Sequence, residues 1–214
     1  MQLRTEEEFS RSINSDFTWR IKEISDLRTL IRRSERPFIP TVVRAGIPLI
    51  YAHWEGHVGV VSKAYMGFLA TRKLNYATLK AGFRLNEFLS RLSKMEQVRS
   101  SQDQKLSLLR DVILSGTRKL RKVDENVLSS RSNLNSSVLS DVCAVLCLDA
   151  DAHFSLDYDF IDHILLARRN QIAHGEPTPV DADAFREMSE RVVVLMRKFN
   201  NLVENDVVSA GYRA

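Results

Sequence analysis

The stretch from Arg168 to Glu176, RRNQIAHGE, holds the residue types needed to cleave RNA without a metal. Such cleavage needs a base to take the proton from the 2′-hydroxyl, which is the internal nucleophile. It also needs a cation to stabilise charge on the phosphorane oxygens. A histidine titrates close to neutral pH and suits the first role, while an arginine stays charged and suits the second. Asn170 and His174 are i and i+4, about 40° apart on a helix, so the amide can orient the imidazole or reach the same phosphate. Arg169 lies five residues before His174, about 140° round the wheel at 100° per residue. One helix does not easily aim both at one phosphate. Two copies packed across a twofold axis would surround one cleft with two Arg169 and two His174 side chains, and such a site is complete only in a homodimer. Arg168 is a candidate RNA contact beside it. The bare Arg and His spacing also arises by chance in an Arg-rich chain, and a histidine at a helix C-terminus has a structural role of its own, favouring the dipole and bonding to free carbonyls.

A second motif, YAHWEG at Tyr51 to Gly56, invites a metal reading because His53 and His57 are four residues apart on one helix face. The zincin pattern needs Glu directly after the first His, where this chain has Trp54. Glu55 lies two residues from each His and points away from both. No metal site is expected. Tyr51, Trp54, Val58 and Val61 make a core face; Glu55 remains open as a solvated carboxylate, a partner for an arginine, or a member of a site.

These motifs need helices to position them. Gly and Pro are scarce, 8 and 5 in 214 residues, and 44% of residues are hydrophobic, which excludes a disordered tail protein. The basic surplus is carried by 22 Arg against 9 Lys, for a net charge of +4. A guanidinium fork matches phosphate bidentately, so an anionic partner is favoured. Cys143 and Cys147 sit one helical turn apart in an apolar run and read as buried thiols. The N-terminal MQLRTEEEFSRS has no signal-peptide stretch, and the most apolar window, Ala45 to Val61, is broken by His53, Glu55 and His57. A cytoplasmic chain without membrane spans is expected.

Apolar residues recur at steps of three and four nearly throughout, predicting an all-α antiparallel helical bundle with a long N-terminal helix. Phe9 to Ile31 predict a first helix over Glu6 to Arg33, ended by Pro37 and Pro40. A second is expected from Ile50 to Arg72, with Pro48 in its first turn or, for a start near Thr41, at a kink. Others are expected over Leu79 to Val98, Asn135 to Leu148 with Ser136 or Ser137 as N-cap, Asp157 to Ala173 with Asp157, Asp159 and Asp162 at its positive end, and Asp181 to about Val207. Residues 100–135 form a polar segment, with an amphipathic piece at Leu106 to Leu114. Length allows one domain or two small ones, and the polar segment, flexible or inserted, does not call for a separate domain.

With both motifs in this order, the sequence resembles the HEPN (higher eukaryote and prokaryote nucleotide-binding) superfamily, whose ribonuclease branch carries an Arg, a polar residue after it, and a His four to six residues on. Here those are Arg169, Asn170 and His174. YAHWEG, an early helix with Trp19 and Arg20, and the Asn133-Leu134 segment resemble a bacterial subgroup found beside defence and toxin–antitoxin genes. Both motifs belong to one bundle there, which implies a single domain over residues 1–214. The resemblance implies a homodimeric, metal-independent endoribonuclease with no cofactor. Arg169 and His174 of both protomers would meet at the interface, leaving a 2′,3′-cyclic phosphate or its hydrolysed product. It also implies the role of a toxin or effector, restrained by a cognate antitoxin or defence partner. Some family toxins carry a Tyr two residues after the His, where AMP is attached; Glu176 stands there in this chain. The subgroup favours an aromatic residue after YAHWEG, where this chain has His57. For Glu55 the expectation is that it orients an active-site Arg or His. Two rivals stand beside the nuclease: a non-catalytic RNA-binding, nucleotide-binding or protein-interaction module of the same fold, and a duplex DNA binder, for which no helix-turn-helix with a basic recognition helix is visible.

Overall fold

The computed structural model describes residues 3–86, 88–89, 91–92, 95, 101–120 and 133–214. The long N-terminal helix α1 spans Glu6–Arg33, as the periodicity predicts. Thr5 and Glu8 form a capping box, and Glu6, Glu7 and Glu8 place negative charge on the positive end of the dipole. Phe9, Ile13, Ile24 and Ile31 form its buried stripe, and Arg20 interrupts that stripe with a charge.

Helix α2 spans Ile39–Thr71 and contains Pro48 within it, so it begins well before Ile50. Proline removes one amide donor but does not end the helix, because Val43, Ile47 and Ile50 are all buried and anchor both sides of it. Buried residues surround much of α2, as expected of the central element. It packs against α1 and against the last helix, which in turn packs on α1. Trp54 packs between Phe154, tilted against it, and Phe199, edge-on to it, with ring centroids 6.4 Å from each. Removing a buried aromatic of this kind costs about 4 kcal/mol.

Shorter helices complete the bundle: α3 Ala81–Asn86, α4 Gln102–Leu114, α5 Ser136–Val145 and α6 Ala150–Phe154. The rest of the helix expected over Leu79 to Val98 lies largely outside the described residues. Asn135, not a serine, caps α5: its side chain accepts from Val138 N at 2.8 Å. Helix α5 ends at Val145, so Cys147 lies beyond it at φ +57°. Cys143 is buried and Cys147 half-buried, and both thiols are free. Burial pushes them up to about 12 and about 11, far from reactive thiolates.

A π-helical stretch, Phe160–Leu166, runs directly into α7, Ala167–Ala173. The wider turns put Phe160, Ile161, Leu165 and Leu166 in the core and leave Arg168, Arg169 and Asn170 half-buried. Two of the three acidic residues expected to favour this helix's dipole also have partners elsewhere. Asp162 accepts from Ser136 N at 2.7 Å, and Asp157 pairs with Lys198 at 2.6 Å. Asp181 caps the last helix, α8, Ala182–Val208. Among the described residues there is no strand, and no helix is long and apolar enough to cross a membrane.

Candidate functional site

The two motifs meet where α7 packs on α2. Tyr51 and Glu55 are i and i+4, so they share the face of α2 turned towards Arg169. The Tyr51 ring is buried, and the Arg169 guanidinium lies over it at 4.9 Å. The Tyr51 hydroxyl donates to Glu55 Oε1 at 3.1 Å and accepts from Leu134 N, which also approaches Glu55 Oε1 at 3.2 Å. Burial, reinforced by the Glu55 charge, pushes the phenol well above its ordinary range, so Tyr51 stays a neutral donor. Glu55 is thus one step removed from the arginine: it fixes Tyr51 and the Asn133-Leu134 backbone, and these hold Arg169.

One nitrogen of Arg169 carries both of its hydrogen bonds. Nη1 donates to Asn133 Oδ1 at 2.6 Å and to Asn170 Oδ1 at 2.8 Å. Nε and Nη2 make no hydrogen bond among the described residues, which leaves the other edge of the fork to take phosphate oxygens bidentately. Asn133 sits at φ +27°, a conformation that asparagine adopts more readily than most residues. Asn170 directs its side chain to Arg169 rather than to the imidazole of His174. Arg168 turns the other way, with Nη1 3.9 Å from Met188 Sδ on α8.

His174 is the exposed C-cap of α7. The chain leaves the helix through a Schellman turn: Gly175 stands at φ +78°, with its N bonded to Ile172 O at 3.1 Å, while Glu176 N bonds to Gln171 O at 2.9 Å. Arg44 of α2 donates to Glu176 O at 2.6 Å and fixes the outgoing chain. The His174 imidazole forms no hydrogen bond among the described residues and does not meet Arg169. The 140° offset read from the sequence therefore persists within one chain.

On the adjoining face of α2 lies a second polar cluster. Arg20 donates from Nε and Nη2 to the Asp16 carboxylate at 2.8 and 3.1 Å, and from Nη1 to His53 O at 3.2 Å. His57 Nδ1 is 2.7 Å from the same carboxylate, and His53 Nε2 lies 3.1 Å from Glu23 Oε2. Gly56 makes room for this arginine, because a Cβ there would stand 2.8 Å from Arg20 Nη1. His53 and His57 therefore belong to a helix-locking network. Among the described residues no three His, Cys, Asp or Glu side chains are grouped to hold a metal ion.

Asn133 is the site residue to which sequence reasoning gave no role. It contacts Arg169 across 36 positions, and no periodicity reports such a contact. The available signal was the i and i+4 spacing of Tyr51 and Glu55, which separates them from His53 and His57.

No curated protein and no solved structure matches the chain. The family model described as MAE_28990-like HEPN matches residues 9–212. That match extends from the first turn of α1 past the end of α8 and takes in both motifs. On this ground the chain belongs to the HEPN superfamily.

Proposed function

We propose that this chain is a homodimeric, metal-independent endoribonuclease. HEPN domains are generally associated with RNase activity, and they typically bind RNA and dimerise. The observation that carries the reading is the half-engaged guanidinium of Arg169, pinned at one nitrogen, on the same short helix that ends at the exposed His174. His174 takes the proton from the 2′-hydroxyl; the 2′-oxygen bonds to phosphorus and the bond to the 5′-oxygen breaks. The symmetry-related imidazole gives that oxygen its proton. Arg169 stabilises the phosphorane charge. Asn170 and Asn133 aim the guanidinium, Glu55 acts on it through Tyr51, and Arg168 lies at the edge of the RNA path. Residues 1–214 act as one domain, supported by the packing of α1 on both α2 and α8. Two free thiols suit a reducing, cytoplasmic setting.

The test is cleavage of a single-stranded RNA by purified protein. His174→Ala is expected to lose activity about a thousandfold, with the helical circular dichroism unchanged and no effect of EDTA on the wild type. Full activity in His174→Ala overturns the assignment. A toxin or effector role in a defence or toxin–antitoxin system follows from the resemblance of the motifs. It predicts growth arrest on expression of wild type and none with His174→Ala.

The second reading, a non-catalytic RNA-binding, nucleotide-binding or protein-interaction module, is favoured by one observation. Arg169 already holds Tyr51, Asn133 and Asn170, as a purely structural arginine would. A wild type that cuts no RNA, together with a dimer lost in Arg169→Ala, would select it.

A further inference from the structure

The corner at which α1 gives way to α2 has no part in the site described above, yet it is joined to it by the Arg44 bond to Glu176 O. Arg32 and Arg33 end α1, Arg36 begins the next turn, and Arg44 follows two turns into α2. None of the four makes an ion pair among the described residues. Glu35 is the one acidic residue between Arg32 and Arg44. In their midst Phe38 holds its ring in solvent, 59% exposed, beside Pro37. A groove of about 750 Å³ opens beside them, lined by Arg36, Ile39, Pro40 and Arg44 from this corner and by Pro179 and Val180 from the segment before α8; Phe38 does not line it but directly precedes Ile39, which does. Asp181 also lines it, but its carboxylate is engaged by Ala184 N at 2.7 Å. The first residues of the 33-residue α2, Ile39, Pro40 and Thr41, line the same space, and the helix has no side-chain cap there.

Arginines that make no ion pair, next to a solvent-exposed aromatic ring and an open groove, are the surface that single-stranded nucleic acid needs. Cations follow the phosphates and the ring offers a platform for a base. A duplex hides its base faces and gains nothing from Phe38. We propose that this corner binds single-stranded RNA, carrying the strand away from the scissile phosphate, an inference that rests on the nuclease reading of Arg169 and His174. The Glu176 carbonyl held by Arg44 is the hinge point: the strand leaves the His174 end of α7 and enters the groove directly.

Binding of a fluorescein-labelled 12-nucleotide uridine RNA to the His174→Ala protein, followed by anisotropy over a range of KCl concentrations, tests the groove without cleavage. Adding Phe38→Ala is expected to weaken binding about tenfold. Adding Arg36→Ala should lower the slope of log affinity against log salt by about 0.7, one phosphate contact on a single strand. A matched RNA duplex should not respond to Phe38→Ala. Unchanged affinity and slope in both variants overturn the groove, and if the wild type still cuts RNA the nuclease reading survives. Groove variants that lose binding while the wild type cuts nothing leave the groove standing and remove the nuclease. A dimer that dissociates in Phe38→Ala, read by light scattering, assigns the corner to a second copy of the chain and overturns the proposal.

Discussion

Two arginines lean on α2 within two turns of each other, and they are used in opposite ways. Arg20 is 7% exposed, with its guanidinium donating from three nitrogens to Asp16 and the His53 carbonyl. Arg169 is half-buried and pinned at one nitrogen. Both also face an aromatic ring, Trp19 at 4.6 Å and Tyr51 at 4.9 Å, so stacking does not distinguish them. The number of nitrogens engaged does. A cation held at all three nitrogens locks helices together, and one with an open edge can still take a ligand.

The largest contrast is expected between the two alanine variants. Arg169→Ala should lower RNA cleavage about a thousandfold while shifting stability by only about 1 kcal/mol, the worth of a partly exposed cation–π contact. Arg20→Ala leaves the Asp16 carboxylate with His57 alone between two helices and should destabilise by about 3 kcal/mol, with the remaining folded protein still active. Urea unfolding of both, alongside cleavage rates, decides the matter. An Arg169→Ala protein as unstable as Arg20→Ala, with cleavage per folded molecule intact, would abolish the distinction.

Acid should separate the clusters next. Burial pushes Asp16 up, but the bonds from His57 and Arg20 outweigh it and hold the carboxyl below its ordinary 3.8. A depressed carboxyl contributes stability that is present above its unfolded value and lost as pH falls through the folded one. Burial, only partly offset by Glu23, holds His53 below its ordinary 6.5. Protons then bind the unfolded chain first, so this contribution too is present above 6.5 and fades on acidification. Thermal midpoints should be level near neutral pH, fall below 6.5, and fall again below 3.8. His53→Gln should remove the first decline and Arg20→Ala should reduce the second. A decline that both variants leave intact would place the acid sensitivity outside this cluster.

The sequence made some of this legible. Helix α1 is found at Glu6–Arg33, as expected, because its apolar stripe and following prolines are local signals. The end of α7 at Ala173 agrees with the expected bound for the same reason, since the glycine that turns the chain follows two residues later. The family match accords with the resemblance drawn from YAHWEG and RRNQIAHGE. What escaped were contacts between distant positions. Asp157 and Asp162 looked like dipole partners but also serve Lys198 and Ser136. Asn133 reaches Arg169, and Asn170 chooses Arg169 over His174. A helical wheel reports which face a side chain occupies, and it is silent on what the tertiary fold brings to that face.

The smallest expected effect is the sharpest probe of the Arg20 contact, because it changes one methyl group. At Gly56 a Cβ would stand 2.8 Å from Arg20 Nη1 and 3.1 Å from Nη2. The guanidinium cannot withdraw without giving up its bonds to Asp16 and His53, so Gly56→Ala should cost about 2 kcal/mol. Gly59, one turn along the same helix, has nothing among the described residues within 4 Å of the corresponding position. There the substitution meets no neighbour and alanine's better helix propensity acts alone, so Gly59→Ala should stabilise by about 0.8 kcal/mol. The opposite signs, measured as shifts in the urea midpoint, isolate the Arg20 contact from the general preference of helices for alanine. In an Arg20→Ala background the two glycines should behave alike, since the obstacle at Gly56 is the guanidinium itself. A Gly56→Ala cost that persists there would mean that α1 and α2 are held close by backbone packing rather than by the arginine between them.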